Sequence, residues 1–263
     1  MTELPKILVA PNGARRQKSD HPAIPLDNDA LIADCIRCAE AGAGGVHAHI
    51  RDAQGRHSLD PDLYKDLLAR LDQALPGWFV QVTSESAGRY SAADQRNLIE
   101  VLRPKSVSVA IREFIPDPDD LTKARQSYHR ARENDVRIQH ICYSQTDLNW
   151  LTQLIENGTI PGNTHQVQLV LGSYDGSRKS RAEDIEEFID PMLALKGSHA
   201  FDWMLCAFGH QETECLLTAL KLGGKARIGF ENSLWNRDGS LAKNNAERVE
   251  ELVSLAAAEG IGV

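Results

Sequence analysis

His47 and His49 stand two positions apart in the stretch GGVHAHIRD, with Arg51 and Asp52 directly behind them. In a strand, side chains at i and i+2 share one face and lie roughly 6.6 Å apart along the backbone. Two imidazoles on one face can meet at a single point, either as a pair of satisfied, half-buried histidines or as two ligands of one metal ion. Near the other end of the chain, ARIGFENS supplies Arg227, Glu231 and Asn232. Two histidines and one glutamate are a catalytic-zinc ligand set that leaves a fourth position open for water or substrate. Glu231 could equally cap the segment after it or pair with Arg227, so the metal reading depends on these groups standing together at strand ends.

The elements that would bring them together alternate regularly between strand and helix. Lys6 to Pro11 is a short apolar run, followed by Leu31, Cys35, Cys38 and Ala39 at helical spacing, with Gly42 as the stop. Gly45 to Ile50 is the second strand. Asp60 and Pro61 then open a helix with the stripe Leu63, Leu67, Leu71 and Leu75. Trp78 to Thr83 is the third strand, and Ser91 with Asp94 forms a capping box ahead of Leu98, Val101 and Leu102. Ser106 to Ala110 is the fourth strand, with Asp117 and Pro118 opening its helix, and Val136 to Tyr143 is the fifth, followed by Leu148, Leu151 and Ile155. Gln166 to Leu171 is the sixth, with Ile185, Phe188, Met192 and Leu195 marking its helix. Phe201 to Ala207 with Cys215 to Leu222, and Ala226 to Phe230 with Val249 to Ala257, complete the series.

Eight such alternations, with most strands apolar on both faces, call for a parallel sheet covered by helices, and eight strands close a barrel. The fold class is therefore α/β, a (β/α)8 TIM barrel formed by residues 1–263 as one domain. A doubly wound open sheet gives no reason for the count, and no G-x-G-x-x-G follows any strand. A length of 263 residues suits this architecture. Active sites of such barrels lie at the C-terminal ends of the strands. Those ends carry Asn12 and Arg15, the histidine pair, Thr83-Ser84-Glu85, Arg112-Glu113, Ser173-Tyr174 and the Arg227 to Asn232 block.

With 42% hydrophobic and 25% charged residues the chain has enough apolar surface for a large core. Its net charge of −8 repels nucleic acid and anionic membrane surfaces, so an anionic ligand needs a local basic patch. MTELPKILVAPNG has no charged leader followed by an apolar run, and no stretch approaches a membrane span, which points to a cytoplasmic protein. The five scattered cysteines are expected as reduced thiols. Cys35 and Cys38 form a C-x-x-C, but their helical pattern makes them structural.

PNGAR, AEAGAGGVHAHIRDAQGRHSLD, QVTS, QLVLG and GGKARIGFEN together resemble the beta-keto acid cleavage enzymes, from about residue 5 to residue 263. The most specific parts are the His-x-His-x-Arg block and the Gly-x-Glu block that follows an arginine. The resemblance implies a homotetrameric barrel, dependent on zinc or another divalent metal, that condenses a beta-keto acid with acetyl-CoA as co-substrate to give acetoacetate and a new acyl-CoA. It implies that His47, His49 and Glu231 hold the metal, that Arg227 lies near the substrate carbanion and that Thr83 lies beside the substrate. Asn12, Arg15, Ser84 and Ser108 are expected to contact the substrate, and Arg178, Lys179 and Arg181, in the basic stretch after the sixth strand, the CoA phosphates.

Two departures from the family pattern stand out. The family commonly has Glu-Asp-Asn where this chain reads Glu231-Asn232-Ser233, and Asn232, although at a catalytic position, cannot act as a base. Either another group such as Glu85 or Glu113 takes the proton, or the reaction differs from that of the family. A family member with an amino substrate has a glutamate after Gly-Ala, where this chain has Arg15, and an arginine favours an acidic or neutral tail.

Two other classes remain in view: a metal-dependent hydrolase of the amidohydrolase type, which would need further histidines such as His140 and His210 plus an aspartate, and a non-catalytic ligand-binding barrel. His140 is expected to be structural, and His57, His129, His165 and His199 have no assigned role.

Overall fold

The computed structural model describes residues 3–194 and 198–263. In chain order the elements are β1 (Ile7–Val9), α1 (Asn28–Glu40), β2 (Gly45–Ala48), β3 (Ile50–Arg51), β4 (His57–Ser58), α2 (Pro61–Ala74), β5 (Phe79–Thr83) and α3 (Ala92–Leu102). There follow β6 (Ser106–Ala110), α4 (Ile111–Phe114), α5 (Leu121–Glu133), β7 (Arg137–Cys142), α6 (Gln145–Glu156) and β8 (Thr164–Leu171). The chain ends with α7 (Asp184–Ala194), β9 (Ala200–Ala207), α8 (Glu212–Lys221), β10 (Lys225–Ile228) and α9 (Asn245–Ala258). Among the described residues, eight parallel strands close a barrel in the order β1-β10-β9-β8-β7-β6-β5-β2, and the helices wrap it. This is the (β/α)8 barrel expected from the alternation.

Local chemistry sets the helix boundaries. The Asp60 carboxylate accepts from the backbone N–H groups of Asp62 and Leu63 with Pro61 in the first turn, and Ser91 and Asp94 cap each other reciprocally. Two stripes are rotated from the expected ones. Leu63 and Val101 are 36% and 49% exposed, whereas Tyr64 and Ile99, one and two positions away, are buried. Counting leucines misplaced the faces because the sheet-facing stripe of α2 includes a tyrosine. The 3-10 turn Pro118–Asp120 precedes α5, and the four-residue α4 comes directly off β6. Leu195 lies outside the described residues.

Two further differences shape the site. The strand expected over Gly45 to Ile50 leaves the barrel after Ala48, and β3 turns back to pair antiparallel with β4. The barrel strands are also not apolar on both faces. Val46, Ala48, Val82, Val107 and Val109 pack outward in the helix-facing core, while the alternate positions Gln81, Ser106, Ser108, Gln139 and Gln168 are buried on the opposite face. Some of those polar groups pair with one another or with backbone, as Gln81 Nε2 donates to Gln139 Oε1 at 2.9 Å and Gln139 Nε2 to the Val167 carbonyl at 3.5 Å, whereas the Ser106 and Ser108 hydroxyls have no protein partner. The barrel interior thus combines these polar side chains with two small apolar clusters, Leu4, Leu8 and Met204 in one and Ala110, Ile141, Val170 and Cys206 in the other.

Candidate metal and substrate site

β2 carries His47 inward, and His49 follows where the chain leaves the barrel; Glu231 comes from the turn after β10, next to β1 in the barrel. His47 Nε2 and His49 Nε2 are 3.0 Å apart, and Glu231 Oε2 is 3.7 and 3.5 Å from them. A tetrahedral zinc with bonds of about 2.0–2.1 Å separates its ligand atoms by roughly 3.3 Å, so the triangle has the size of one metal's coordination face. Burial holds the His47 imidazole down to about 4, with Arg227 adding to the effect, and His49 lies well below its ordinary value. Both rings are therefore neutral, the form in which an imidazole can ligate a metal. Burial alone would push the Glu231 carboxyl up, but Arg227 and the two imidazoles hold it well below the usual carboxylate range. Its Oε2 is buried with no hydrogen-bond partner. Two facing ring nitrogens and an unpartnered carboxylate oxygen make a donor set that fits a divalent cation.

The surroundings fix this set. His47 Nδ1 donates to Gln81 Oε1 at 2.8 Å, and because Gln81 in turn donates to Gln139, its oxygen faces the histidine and directs the His47 Nε2 lone pair to the site. Asn12 Nδ2 donates to the carbonyls of Pro25 and His49, at 2.9 and 3.0 Å. Arg51 donates to the carbonyls of Gly13 and Ala14, tying the loop after β1 to the β3 hairpin. Asn245, at the start of α9, accepts from the Phe230 N–H at 2.7 Å and donates to the Pro11 carbonyl at 3.1 Å, pinning the turn that presents Glu231. At Gly13, with φ of +58°, an added Cβ would stand 2.5 Å from Glu231 Cγ, so only glycine lets the loop pass beneath the ligand.

Beside the triangle a cavity of about 280 Å³ opens at the C-terminal mouth. Arg227 Nη2 donates to Glu231 Oε1 at 3.1 Å and lies 3.3 Å from Cys206 Sγ. Glu85 Oε2 is 3.9 Å from His49 Nε2, and burial together with the Glu231 and Glu113 carboxylates pushes the Glu85 carboxyl up to about 8. Glu113 Oε2 accepts from the Ser86 N–H and from Gln95 Nε2, both at 3.0 Å.

The expected site residues are not all gathered at this cavity. Arg15, His47, Thr83, Glu85, Arg178, Arg227 and Glu231 line it. Ser84 is fully buried, its hydroxyl donating to the Ser108 carbonyl at 2.8 Å, and Asn12 is engaged with backbone, so neither faces the cavity. Ser108 and Asn232 are buried, with a hydroxyl and an amide respectively that have no protein partner, and are not among the lining residues. The basic stretch divides: Arg178 reaches the cavity, Lys179 is exposed, and Arg181 pairs with Asp184 at 2.8 Å away from it. Alternation explains part of this, because consecutive residues cannot share a face.

Sequence reasoning missed Gln81, Asn245 and His57. Gln81 left a signal, a lone amide in the strand FVQVT. His57 lies behind His49 with ring centroids 5.1 Å apart and hydrogen-bonds the Glu85 carbonyl through Nε2 at 2.9 Å. His140, against Tyr128, and the exposed His210, stacked on Trp235, are not part of the cluster, so the histidines the amidohydrolase alternative needs are not there.

The sequence profile of the beta-keto acid cleavage enzymes matches residues 6–263. The chain belongs to this family. Relatives among the beta-keto acid cleavage enzymes include the 3-oxoadipate:acetyl-CoA acetyltransferase of Cupriavidus necator, 26% identical over 97% of this chain and 89% of that one. Another is the 3-keto-5-aminohexanoate cleavage enzyme of Acetoanaerobium sticklandii, 22% identical over 93% of this chain and 88% of the relative. The solved structure of ObcA with oxaloacetate shares the fold with a TM-score of 0.67, at 15% identity over 91% of this chain and 64% of that one.

Proposed function

We propose that this beta-keto acid cleavage enzyme condenses a beta-keto acid with acetyl-CoA, giving acetoacetate and a new acyl-CoA, with zinc or another divalent ion held by His47, His49 and Glu231. The convergence of those three ligand atoms beside Arg227, in a chain of this family, carries the reading. When bound, the ion supplies Lewis-acid chemistry, polarising the keto carbonyl and making the carbon between the two carbonyls more acidic.

The chain's own groups do the rest. Glu85, with its carboxyl pushed up to about 8, is suited to exchange a proton near neutral pH, which Asn232 cannot do. Arg227, buried and aimed at the same point, stabilises the negative charge that develops on the carbon. That carbon attacks the acetyl carbonyl and CoA thiolate leaves. The thiolate then attacks the original keto carbon, and the carbon–carbon bond breaks to give the acyl-CoA and, after reprotonation, acetoacetate. Thr83 lies beside the substrate, its hydroxyl accepting from the Glu85 N–H at 3.1 Å. Arg15, over the Tyr174 ring at 5.3 Å, disfavours an amino tail and favours a neutral or acidic one.

A single barrel domain spanning the chain, a cytoplasmic setting and a homotetramer complete the proposal. No described helix is long and apolar enough to cross a membrane. The test is incubation with acetyl-CoA and a panel of acidic, neutral and amino beta-keto acids, with acetoacetate as the readout and metal analysis in parallel. Acetoacetate from a metal-bearing preparation is expected; silence across the panel would sink the proposal.

A further inference from the structure

We propose that the wall of the cavity formed by Arg112 and Tyr143 is a carboxylate subsite, and that it makes this enzyme selective for a beta-keto dicarboxylic acid. The proposal rests on the function proposed above and assigns the end of the substrate remote from the metal ligands.

The Arg112 guanidinium carbon lies over the Tyr143 ring, 3.8 Å from its centroid. Among the described residues the guanidinium has no hydrogen bond and no carboxylate partner. The adjacent Glu113 accepts from the Ser86 N–H and Gln95 and forms no ion pair with it. Arg178 Nη1 donates to the carbonyl of the same Tyr143 at 2.7 Å, and it too lacks an acidic partner. Arg15, over Tyr174, is a third cation at the cavity; it is in no ion pair, although its charge acts on the Glu85 carboxyl.

Many arginines of this acidic chain are in ion pairs, as in Arg96–Asp120, Arg130–Glu100 and Arg248–Glu212, while others such as Arg51 are held by backbone carbonyls; the Arg112 guanidinium has neither kind of partner. Glu85, Glu113 and Asp175 line the same cavity, but burial pushes the Glu85 carboxyl up to about 8, Glu113 accepts from the Ser86 N–H and Gln95, and Asp175 is turned to Ser173 and Ser177, so none of them forms an ion pair with Arg112. Stacking on an aromatic face holds the guanidinium plane and leaves its in-plane N–H groups free, the geometry that grips a carboxylate with two parallel hydrogen bonds.

Part of the cavity beside this wall is apolar, on the side of β6 to β9. Ala110, Ile141, Val170 and Cys206 form one buried cluster with Tyr143 and Phe208 packed against it. It accommodates methylene groups but supplies no partner for a charge. An occupant matched to the cavity therefore has its keto acid end at the histidines, a short methylene chain over the apolar patch and a second carboxylate at Arg112. An ammonium tail at this wall would meet the unpaired Arg112 guanidinium instead. CoA phosphates are the other source of anionic oxygen, so the experiment must separate the two.

The experiment compares wild type with Arg112→Gln on 3-oxoadipate and on 3-oxohexanoate, an uncharged-tail analogue of the same chain length, and measures KM for acetyl-CoA in both proteins. Binding of glutarate, a dicarboxylate with no keto group, is followed by calorimetry. Wild type is expected to favour the diacid by at least roughly tenfold in kcat/KM, and the variant to lose most of that ratio and to bind glutarate about tenfold more weakly. Arg112→Lys, which keeps the charge but not the plane, is expected to fall between them. A wild-type ratio near one, or a ratio unchanged in the variant, overturns the proposal. So does a loss confined to KM for acetyl-CoA, which would assign the arginine to CoA phosphates. If wild type turns over neither keto acid, the proposed function fails, and the glutarate titration alone decides the subsite.

Discussion

The two ends of the cavity are built on opposite plans. At the metal end every group is buried and held from behind: His47 by Gln81, the His49 backbone by Asn12, and the Glu231 turn by Asn245. At the mouth, Arg15, Arg112 and Arg178 are exposed and rest on aromatic rings or a backbone carbonyl rather than in ion pairs. The difference follows from what each end must do. Metal ligands must hold a fixed geometry through every turnover, whereas a tail subsite needs only to offer charge in one plane, and exposed positions tolerate substitution. Changes at the first end should abolish turnover of all substrates, and changes at the second should redistribute turnover among them.

The largest effect is expected for Glu231→Gln. Loss of the anionic ligand should strip bound metal and lower kcat by at least about 10³-fold for every keto acid, as should exhaustive chelation of wild type. Metal analysis and acetoacetate release check both, and wild-type turnover in a metal-free variant would break the comparison. Arg227→Gln comes next, with kcat down roughly 10²- to 10³-fold while metal content stays at the wild-type level, because its charge is needed as the reaction proceeds.

A smaller effect is expected for Gln81→Ala, which leaves all three ligands but removes the acceptor at His47 Nδ1. Metal affinity should fall by about 10- to 100-fold, measured by competition with a chelator, with turnover recovering when metal is added. The metal should also resist acid. Burial already holds the His47 imidazole down to about 4, so protons begin to compete only as pH falls toward that value. Metal content should be unchanged between pH 7 and about pH 5, where ordinary histidine ligands would have begun to protonate. The smallest effect belongs to Arg181→Ala: its guanidinium is paired with Asp184 away from the cavity, and KM for acetyl-CoA should move by less than about twofold.

Much of the fold and the cluster of His47, His49 and Glu231 was legible in the sequence because both are written in short-range patterns. Strand and helix alternate at recognisable spacing, His47 and His49 occupy i and i+2 of one strand, and Glu231 follows an apolar strand near the end. Tertiary structure decided what depends on separation in space. Barrel closure brings β10 beside β1 and so sets Glu231 within 3.7 Å of the histidines. It also puts Gln81 behind His47 and Arg112 on Tyr143, and it turns Ser84 and Arg181 away from the cavity. Residue order carries periodicity and chemical type, but which groups meet across a closed sheet is set by strand register and by the face each side chain takes, and neither is a property of any one stretch of chain.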